Sequence, residues 1–418
     1  MKKIVKKRQT ASKKHNEKKK SKRNSLRAQK KISSKEEKIE KKKEETIQIK
    51  TNDKTSNKSE GLKNIKDLIR NIFNVKEARR QLLFLGIDYK NLPIDINKEV
   101  FKKCCEILRK IDENINSNTI DHKTKKDIFF ELSKEYYQII PHIFPLPDYN
   151  LYLINDIEKI KREICLLEII KSFSELEKAF NGIKYSKEEN GINNKENIHE
   201  HHSKISDSFF KKALSEFELT FDYINRNTKE FEEIEKLVNL YSTQSKNKNK
   251  TKGPFPPLEL LELFRINKEN EKFDEKNIKM KNLLWYGCEM IHFYSILKNN
   301  SLRLPIKYAP RNAFSYGKGI LISDNIYSQI QKCLPINNIV YLFVCSVESL
   351  QHCKKVHIEH KEYPKHLSSE FNSVMRVDKI KVSLNEESAD YIHTYSFIYY
   401  DPSLIKLEYI AKLKIPSN

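Results

Sequence analysis

The chain has 418 residues with a net charge of +22, and 38% of them are hydrophobic, which is enough apolar material for two domains. Its apolar strings fall far below the roughly 18 residues that cross a bilayer, and the N-terminus lacks the apolar segment of a secretory signal. Eight glycines leave little for glycine-rich phosphate loops, and seven cysteines without a CxxC pair argue against a disulfide framework. We therefore expect a soluble intracellular protein with reduced thiols.

The positive charge is concentrated at the N-terminus. Residues 1–35 contain 16 Lys or Arg and one acidic residue, Glu17, which leaves a net charge of +7 for the rest of the chain. Residues 1–60 have too few apolar side chains to offset the entropy lost on ordering, so we predict a disordered tail there. The charge of residues 1–35 favours a polyanionic partner, nucleic acid first, and a nuclear location; a merely solubilising tail is the alternative.

Residues 61–185 carry apolar side chains at every third or fourth position, which is the spacing of amphipathic helices. This spacing predicts a bundle of helices over 63–83, 97–115, 129–140 and 154–180. The last helix has the widest apolar stripe, which predicts a central position in the bundle. The polar stretch 181–206 predicts a surface loop. Its run from His199 to His202 makes a poor metal site, because a structural site needs fixed ligand spacing.

Short strands dominate after residue 206. We expect strands over 217–221, 258–266, 283–286, 339–347, 379–384, 395–400 and 405–413. We expect helices over 228–241, opened by a capping box of Asn227 and Glu230, and over 276–280 and 291–299. The fold class is therefore α+β: an N-terminal all-α bundle at 61–185, followed by a mixed, mainly antiparallel β domain at 206–418.

Three blocks of the β region resemble motifs of the poly(ADP-ribose) polymerase (PARP) family. Residues 283–305 read LLWYGCEMIHFYSILKNNSLRLP, where the family has LLWHGS and a later LR. Residues 316–324 read YGKGILISD, beside the family's FGKGIYFAD. The ending from Phe397, FIYYDPSLIKLEYIAKLKI, is similar to YIVYD…LKYLLKLKF. The segment from Ile65, the stretch ELSKEYYQIIPH and the string LLEII resemble the family's helical regulatory domain, so the resemblance covers about residues 62–418.

The resemblance implies an ADP-ribosyltransferase domain that breaks the glycosidic bond of NAD, with no metal required. The family uses a His that holds the adenosine ribose, a Tyr that stacks on nicotinamide, and a Glu that orients the ribose and activates the acceptor. The corresponding positions here are Tyr286, Leu321 and Ser396, so all three side chains are replaced. His393 lies three residues before Ser396, an odd spacing that places it on the opposite face of a strand.

Four further positions are expected in the NAD pocket. The resemblance places Gln329 where the family has the Ser that holds the nicotinamide amide, and Lys332 where it has a second stacking Tyr. Gly287 and Arg303 match the family, and the backbone of Gly287 is expected to contact the nicotinamide amide. Glu386, Glu387 and Asp390 precede the last strands and are expected in a loop, so no substitute carboxylate is evident.

The preserved motifs and the lost side chains together favour a nuclear pseudoenzyme that acts as a DNA- or chromatin-binding scaffold. Its expected partners are nucleic acid or poly(ADP-ribose), bound through residues 1–35, and other proteins, but no membrane. The alternatives are an active mono- or poly-ADP-ribosyltransferase of the DNA-damage response, and a basic structural protein unrelated to NAD. If the chain is active, the resemblance implies that the regulatory helices restrain access of NAD.

Overall fold

The computed structural model describes residues 55–93, 96–144, 149–185, 206–242, 255–268, 283–310, 314, 317–347, 354–357, 373–381 and 391–416. The predicted tail up to residue 54, the run from His199 to His202, the predicted helix 276–280 and the three acids between residues 386 and 390 lie outside these residues. No helix within the described ranges is long and apolar enough to cross a membrane.

The N-terminal part is built from helices, as the periodicity predicted. They are α1 (Thr55–Ile72), α2 (Val75–Phe84), α3 (Lys98–Ile115), α4 (His122–Ile139) and α5 (Ile157–Tyr185). Helix α5 contacts α2 and α3 as well as helices of the following domain, so its central position is confirmed. Its buried side chains, which include Ile160, Leu167 and Ile170 at no measurable exposure, provide the apolar stripe that this position requires.

The prediction of one helix over 63–83 was wrong. The chain breaks at Phe73, and Asn74 caps a new helix by accepting a hydrogen bond from the Glu77 amide at 3.0 Å. Because apolar side chains continue across the break at helical spacing, the sequence periodicity gives no sign of the break. Helix α4 also begins earlier than predicted, because Asp121 caps a polar first turn that has no apolar stripe.

The C-terminal part is a nine-stranded sheet with the strand order β1-β2-β9-β5-β3-β4-β8-β7-β6, which confirms the α+β class. All neighbours are antiparallel except β6 and β7. The strands are β1 (Leu219–Ile224), β2 (Glu259–Lys268), β3 (Leu283–Tyr286), β4 (Ile320–Ser323), β5 (Ile339–Val347), β6 (Lys354–His357), β7 (Ser373–Lys381), β8 (Tyr391–Tyr399) and β9 (Ile405–Lys414). In the described part of this domain four α-helices accompany them: α6 (Asp207–Ser215), α7 (Lys229–Val238), α8 (Phe293–Asn299) and α9 (Ile326–Ile330).

Several boundaries of this domain differ from the prediction. The predicted strand 379–384 overlaps only the end of β7, and the four-residue strands β4 and β6 were not predicted. Helix α7 is capped by Thr228, whose hydroxyl accepts from the Phe231 amide at 3.2 Å, and not by Asn227. The amide of Asn227 instead donates to the Asn225 side chain in the preceding turn.

The two parts share an aromatic contact. The ring of Phe73, at the break between α1 and α2, lies 5.9 Å from Phe217 and 5.4 Å from Tyr294, measured between ring centres. An exposed ion pair between Lys66 and Asp207 joins α1 to α6 at 2.6 Å. The helices are therefore packed directly on the sheet domain, and this packing places α5 beside a cavity at the end of β3.

Candidate active site

A cavity of about 1020 Å³ lies between α5 and the region where β3 ends. Four of the predicted site residues line it: Tyr286, Gly287, Arg303 and Lys332. We call the side formed by Tyr286, Gly287 and Lys332 the inner wall. We call the face of α5 that carries Glu168, Ser172 and Glu175 the roof. Residues from separate segments of the sequence therefore meet at one cavity, and their assignment to an NAD site stays a prediction.

Tyr286 is the last residue of β3, where it pairs with Phe343 of β5. Its phenol lies beside the cavity, and burial raises its pKa well above the usual value. The phenol therefore stays neutral at physiological pH. A neutral phenol donates one hydrogen bond, but it cannot alternate between charged and neutral forms near neutrality as a histidine does.

Leu321 and Ser396 lie on the paired strands β4 and β8, but neither is among the described residues that line the cavity. Leu321 packs its side chain against the small cluster of Val374 and Ile398. Ser396 is buried, and its hydroxyl donates to the Ser323 hydroxyl at 3.3 Å. His393 is exposed while Ser396 is buried, which confirms that the two residues face opposite sides of β8. These positions now serve the packing of the sheet.

Gln329 and Lys332 fill the region behind Gly287. Gln329, on α9, is buried, and its side-chain Oε1 accepts the Gly287 amide proton at 3.2 Å. Lys332 follows α9 and folds its side chain back, so that Nζ donates to the same Oε1 at 2.8 Å and to the Leu321 carbonyl oxygen at 3.2 Å. The Gly287 amide that was expected to contact a ligand therefore already has a partner within the protein.

Gly287 is a glycine because its Cα touches the backbone of Gln329. A Cβ built on Gly287 would overlap the carbonyl oxygen and carbonyl carbon of Gln329. Strand β3 and helix α9 are therefore in backbone contact at the inner wall. This contact places the Gln329 side chain within reach of the Gly287 amide and sets the geometry of the whole group.

The inner wall carries a cation in a poorly solvated place. Burial lowers the pKa of Lys332 to about 8, and the nearby Cys288 and Cys333 thiols oppose this shift only in part. Burial also raises the pKa of both thiols, so they stay protonated and do not neutralise the ammonium. Among the described residues, no carboxylate forms an ion pair with Lys332. A charged amine without a counter-ion is the main electrostatic feature of this wall.

The roof is tied to the sheet domain by polar contacts from α5. Glu168 accepts from the Ile306 amide at 3.1 Å, and Ser172 lies 2.7 Å from Nδ1 of His292. Glu175 forms an ion pair with Arg303, whose guanidinium also points at the Ser172 hydroxyl. Arg303, predicted as a cofactor contact, therefore pairs with the helical part. Burial raises the pKa of Glu168, and the Ile306 amide opposes that shift.

These roof residues were missed by the sequence reasoning, although they left a signal. Glu168, Ser172 and Glu175 are spaced by four and three residues, which places them on one face of a helix. A polar face on an otherwise apolar, central helix indicates a specific partner for that face. As for metals, no group of three or more His, Cys, Asp or Glu side chains in the described part of the chain is placed to hold an ion.

Comparison with known proteins agrees with this architecture. Residues 62–202 match the family model described as the poly(ADP-ribose) polymerase regulatory domain, and residues 228–415 match the poly(ADP-ribose) polymerase catalytic domain. The chain belongs to the poly(ADP-ribose) polymerase family. Both motif-based resemblances, regulatory and catalytic, are thus confirmed.

Individual PARP relatives are distant. Poly [ADP-ribose] polymerase 1 of Xenopus laevis is 23% identical over 380 residues, which cover 85% of this chain and 35% of that protein. Poly [ADP-ribose] polymerase 2-B of Oryza sativa is 22% identical over 293 residues, 68% of this chain and 43% of the relative. Poly [ADP-ribose] polymerase 2 of Arabidopsis thaliana is 23% identical over 266 residues. The chain spans about a third to two fifths of these relatives.

Proposed function

We propose that this chain is a PARP pseudoenzyme: it keeps the ADP-ribosyltransferase body as a scaffold and does not turn NAD over at a useful rate. The observation that carries the proposal is the Oε1 of Gln329 on the Gly287 amide, held there by Lys332. A carboxamide of the protein thereby occupies the hydrogen bond expected for the carboxamide of nicotinamide. NAD would have to displace it before binding.

Charge is the second reason why this wall suits NAD poorly. The pyridinium ring of NAD is positive, and cleavage of its glycosidic bond develops further positive charge on the ribose in an oxocarbenium-like state. The Lys332 ammonium lines the same cavity. Two like charges about 5 Å apart repel by roughly 3 kcal/mol at an effective dielectric constant of 20. The lysine therefore disfavours both the bound substrate and its transition state.

The replaced triad adds to these costs. Loss of a general acid or base lowers a rate by about 10²–10⁴-fold, and the carboxylate position is a buried serine. Tyr286 is a neutral phenol at the inner wall, and Leu321 offers no aromatic face for stacking. The side chains at these three positions do not suit NAD as a reacting substrate.

The scaffold function is proposed to rest on nucleic acid and to be exercised in the nucleus. The basic residues 1–35 would bind phosphates, so affinity would fall roughly 10³-fold or more between 50 and 200 mM salt if about six phosphates are neutralised. Fluorescence anisotropy with nicked duplex DNA tests this in the full chain and in a chain lacking residues 1–35. Unchanged affinity and salt slope after the deletion would rule out the tail as the binding element.

An active transferase is the second candidate. The cavity, at about 1020 Å³, is large enough for a dinucleotide, and this observation favours it. In that case Gln329 and Lys332 would have to move when NAD binds, and mono-ADP-ribosylation would be the expected chemistry because no carboxylate replaces the missing Glu.

NAD turnover by the purified full chain separates the two candidates. Free nicotinamide and ADP-ribose adducts are measured by mass spectrometry, with and without nicked DNA. A named relative, such as the Xenopus enzyme, serves as the positive control. We expect no release above background from the native chain. Clear release that disappears when Tyr286→Ala is introduced would contradict the pseudoenzyme.

A second variant tests whether the replaced side chains, and not a closed cleft, prevent NAD turnover. The combined changes Tyr286→His, Leu321→Tyr, Ser396→Glu, Gln329→Ser and Lys332→Tyr restore the side chains that the family resemblance implies. We expect them to raise nicotinamide release by about 10²-fold or more, because they return a general base and remove the cation. If the native chain already releases nicotinamide as fast as this variant does, the replaced side chains are not what limits activity.

A further inference from the structure

The inner wall presents two hydrogen-bond donors aimed at a single oxygen position. The Gly287 amide and the Lys332 ammonium reach the same Oε1 atom of Gln329, at 3.2 and 2.8 Å. The second partner of Lys332 is the Leu321 carbonyl oxygen, which is also neutral. The ammonium therefore has acceptors for two of its three N–H groups but no counter-ion among the described residues. An anionic oxygen at this position would satisfy both.

The surroundings favour an anion at this wall. The cavity is also lined by three exposed lysines, Lys98, Lys171 and Lys307. The acids that line it are mostly engaged elsewhere: Glu168 accepts from the Ile306 amide, Glu175 pairs with Arg303, and Glu289 lies 3.3 Å from Nε2 of His292. These exposed lysines attract a ligand of negative charge, and Lys332 is its anchor.

We propose that this cavity binds a planar carboxylate, one oxygen of which takes the position of the Gln329 Oε1 between the Gly287 amide and the Lys332 ammonium. The class includes the acid counterparts of nicotinamide and of NAD, in which a carboxylate replaces the carboxamide. Gln329 is then an internal occupant that swings aside when the ligand enters. This inference rests on the proposed function, since it assigns the site a ligand other than a reacting NAD.

A carboxylate fits this site better than a carboxamide for two physical reasons. Its two oxygens only accept hydrogen bonds, so it presents no N–H groups to the donors of the wall. Hydrogen bonds between an ammonium and a carboxylate are also stronger than those to a neutral amide. We expect the difference to be about tenfold in affinity, given the usual gap between charged and neutral hydrogen bonds.

The test is a matched pair of probes on the full chain. Benzoate and benzamide have the same ring and nearly the same shape, but only benzoate is charged. Isothermal titration at pH 7 is expected to show benzoate binding about tenfold more tightly than benzamide. Nicotinate and nicotinamide provide a second pair with the same expected order. Equal affinities, or tighter binding of the amides, would overturn the proposal.

Two variants assign the effect to the wall. Lys332→Met removes the charge and is expected to abolish the preference for the acid, with folding checked by circular dichroism and melting temperature. Gln329→Ala removes the internal occupant and is expected to tighten binding of benzoate while its preference over benzamide persists. A preference that survives in Lys332→Met places the anion elsewhere and contradicts the inference. So does a Lys332-dependent affinity for inorganic phosphate without any for the carboxylates.

The pH dependence gives an independent readout. Lys332 is the anchor, and its pKa of about 8 in the free protein means that about half of the molecules have lost this proton at pH 8. Benzoate affinity should be level between pH 6.5 and 7.5 and fall above about 8 by up to tenfold per unit, since one proton is required for binding. The other ionisable groups facing Lys332 are Cys288 and Cys333, whose raised pKa values keep them neutral in this range.

Failure of this inference is distinguishable from failure of the pseudoenzyme proposal. Nicotinamide release from NAD is measured on the same preparation as the titrations. If no release occurs and the acids do not bind, only the carboxylate site is wrong. If NAD is turned over, the pseudoenzyme is wrong, and the acid preference is then judged by the titrations alone.

Discussion

The roof and the inner wall of the cleft differ in how their polar groups are paired. On the roof each charged or polar group meets a complementary one: Glu175 meets Arg303, and Glu168 meets the Ile306 amide. On the inner wall the only ammonium, that of Lys332, meets two neutral oxygens. The roof therefore has the pairing of a structural contact, whereas the wall has an unbalanced charge.

The largest effect on stability is expected at Gly287, where the inner wall is a contact between two backbone segments. Gly287→Ala forces a methyl group into the Gln329 carbonyl, and neither backbone can yield cheaply. We expect a loss of about 3 kcal/mol in the free energy of unfolding. Denaturant titration measures it, and Gly182→Ala is the matched control. A Cβ there meets nothing within 4 Å, so this change inside α5 should stabilise by about 1 kcal/mol.

If Gly287→Ala is as stable as the native chain, the contact between β3 and α9 is wrong, and with it the position of Gln329. A comparable loss in the Gly182→Ala control would show that the two substitutions report on something other than local space. Either result would remove the basis for calling the inner wall a fixed surface.

The unbalanced charge of the wall predicts a dependence of stability on pH. Burial lowers the pKa of Lys332 to about 8, so between about pH 8 and 10.5 the folded chain binds fewer protons than the unfolded chain. The native chain is therefore stabilised as pH rises through this window. At pH 7 Lys332→Met should be more stable by on the order of 1–3 kcal/mol, and this advantage should shrink toward pH 10.

Urea unfolding of both proteins at pH 7, 9 and 10 measures this difference. Lys414→Met, at an exposed position near the end of β9, is the control for loss of a lysine. An advantage of Lys332→Met that does not change with pH would mean that packing, and not charge, distinguishes the two side chains. The roof and the inner wall would then not differ in their electrostatics.

The smallest effect is expected for the ion pair of the roof. Arg303 and Glu175 keep 26% and 35% of their side-chain exposure, so solvent screens the pair. A double-mutant cycle with Arg303→Gln and Glu175→Gln should give a coupling of about 0.5–1 kcal/mol. Amide hydrogen exchange in α5 should accelerate in either variant. The cycle for Arg79 and Glu177, which joins α5 to α2 instead, is the matched control.

A coupling of zero for Arg303 and Glu175, with unchanged exchange in α5, would mean that the roof rests on Glu168 and Ser172 alone. A coupling energy far above that of the control pair would make the ion pair the main polar contact between the roof and the sheet domain. Under either outcome the roof differs from the inner wall, where the Lys332 charge has no partner of opposite sign among the described residues.

Sequence reasoning succeeded where local chemistry and the pattern agreed. The strands 283–286 and 339–347 were predicted at their observed bounds, and Asn97 caps α3 where the helix was expected to begin. It failed where a boundary depended on which polar side chain reached an amide. Asn74 and Thr228 are such cases, since nothing in the spacing distinguishes a capping residue from its neighbours. The domain limits 1–60, 61–185 and 206–418 stay predictions.

For the candidate site too, some features followed from the sequence and others came only from the structure. The motifs located Tyr286, Gly287, Arg303 and Lys332, and all four line one cavity. Their assignment of Arg303 to a cofactor stays a prediction, but they gave no sign of its ion pair with Glu175, which lies 128 positions earlier in the chain. Contacts between segments so far apart cannot be seen in the sequence periodicity. The packing of the helix or strand that carries each residue determines which partner that residue meets.

The sequence by itself determined the family and the α+β order of elements, because these depend on residue types at fixed spacing; the replacement of the family's three side chains at Tyr286, Leu321 and Ser396 stays a prediction. Only the tertiary structure decided that Gln329 occupies the Gly287 amide, that Lys332 has neutral partners, and that α5 forms the roof. Hydrogen bonds and charges act over a few ångströms in space. Which groups come within that range is fixed by how β3, α9 and α5 pack.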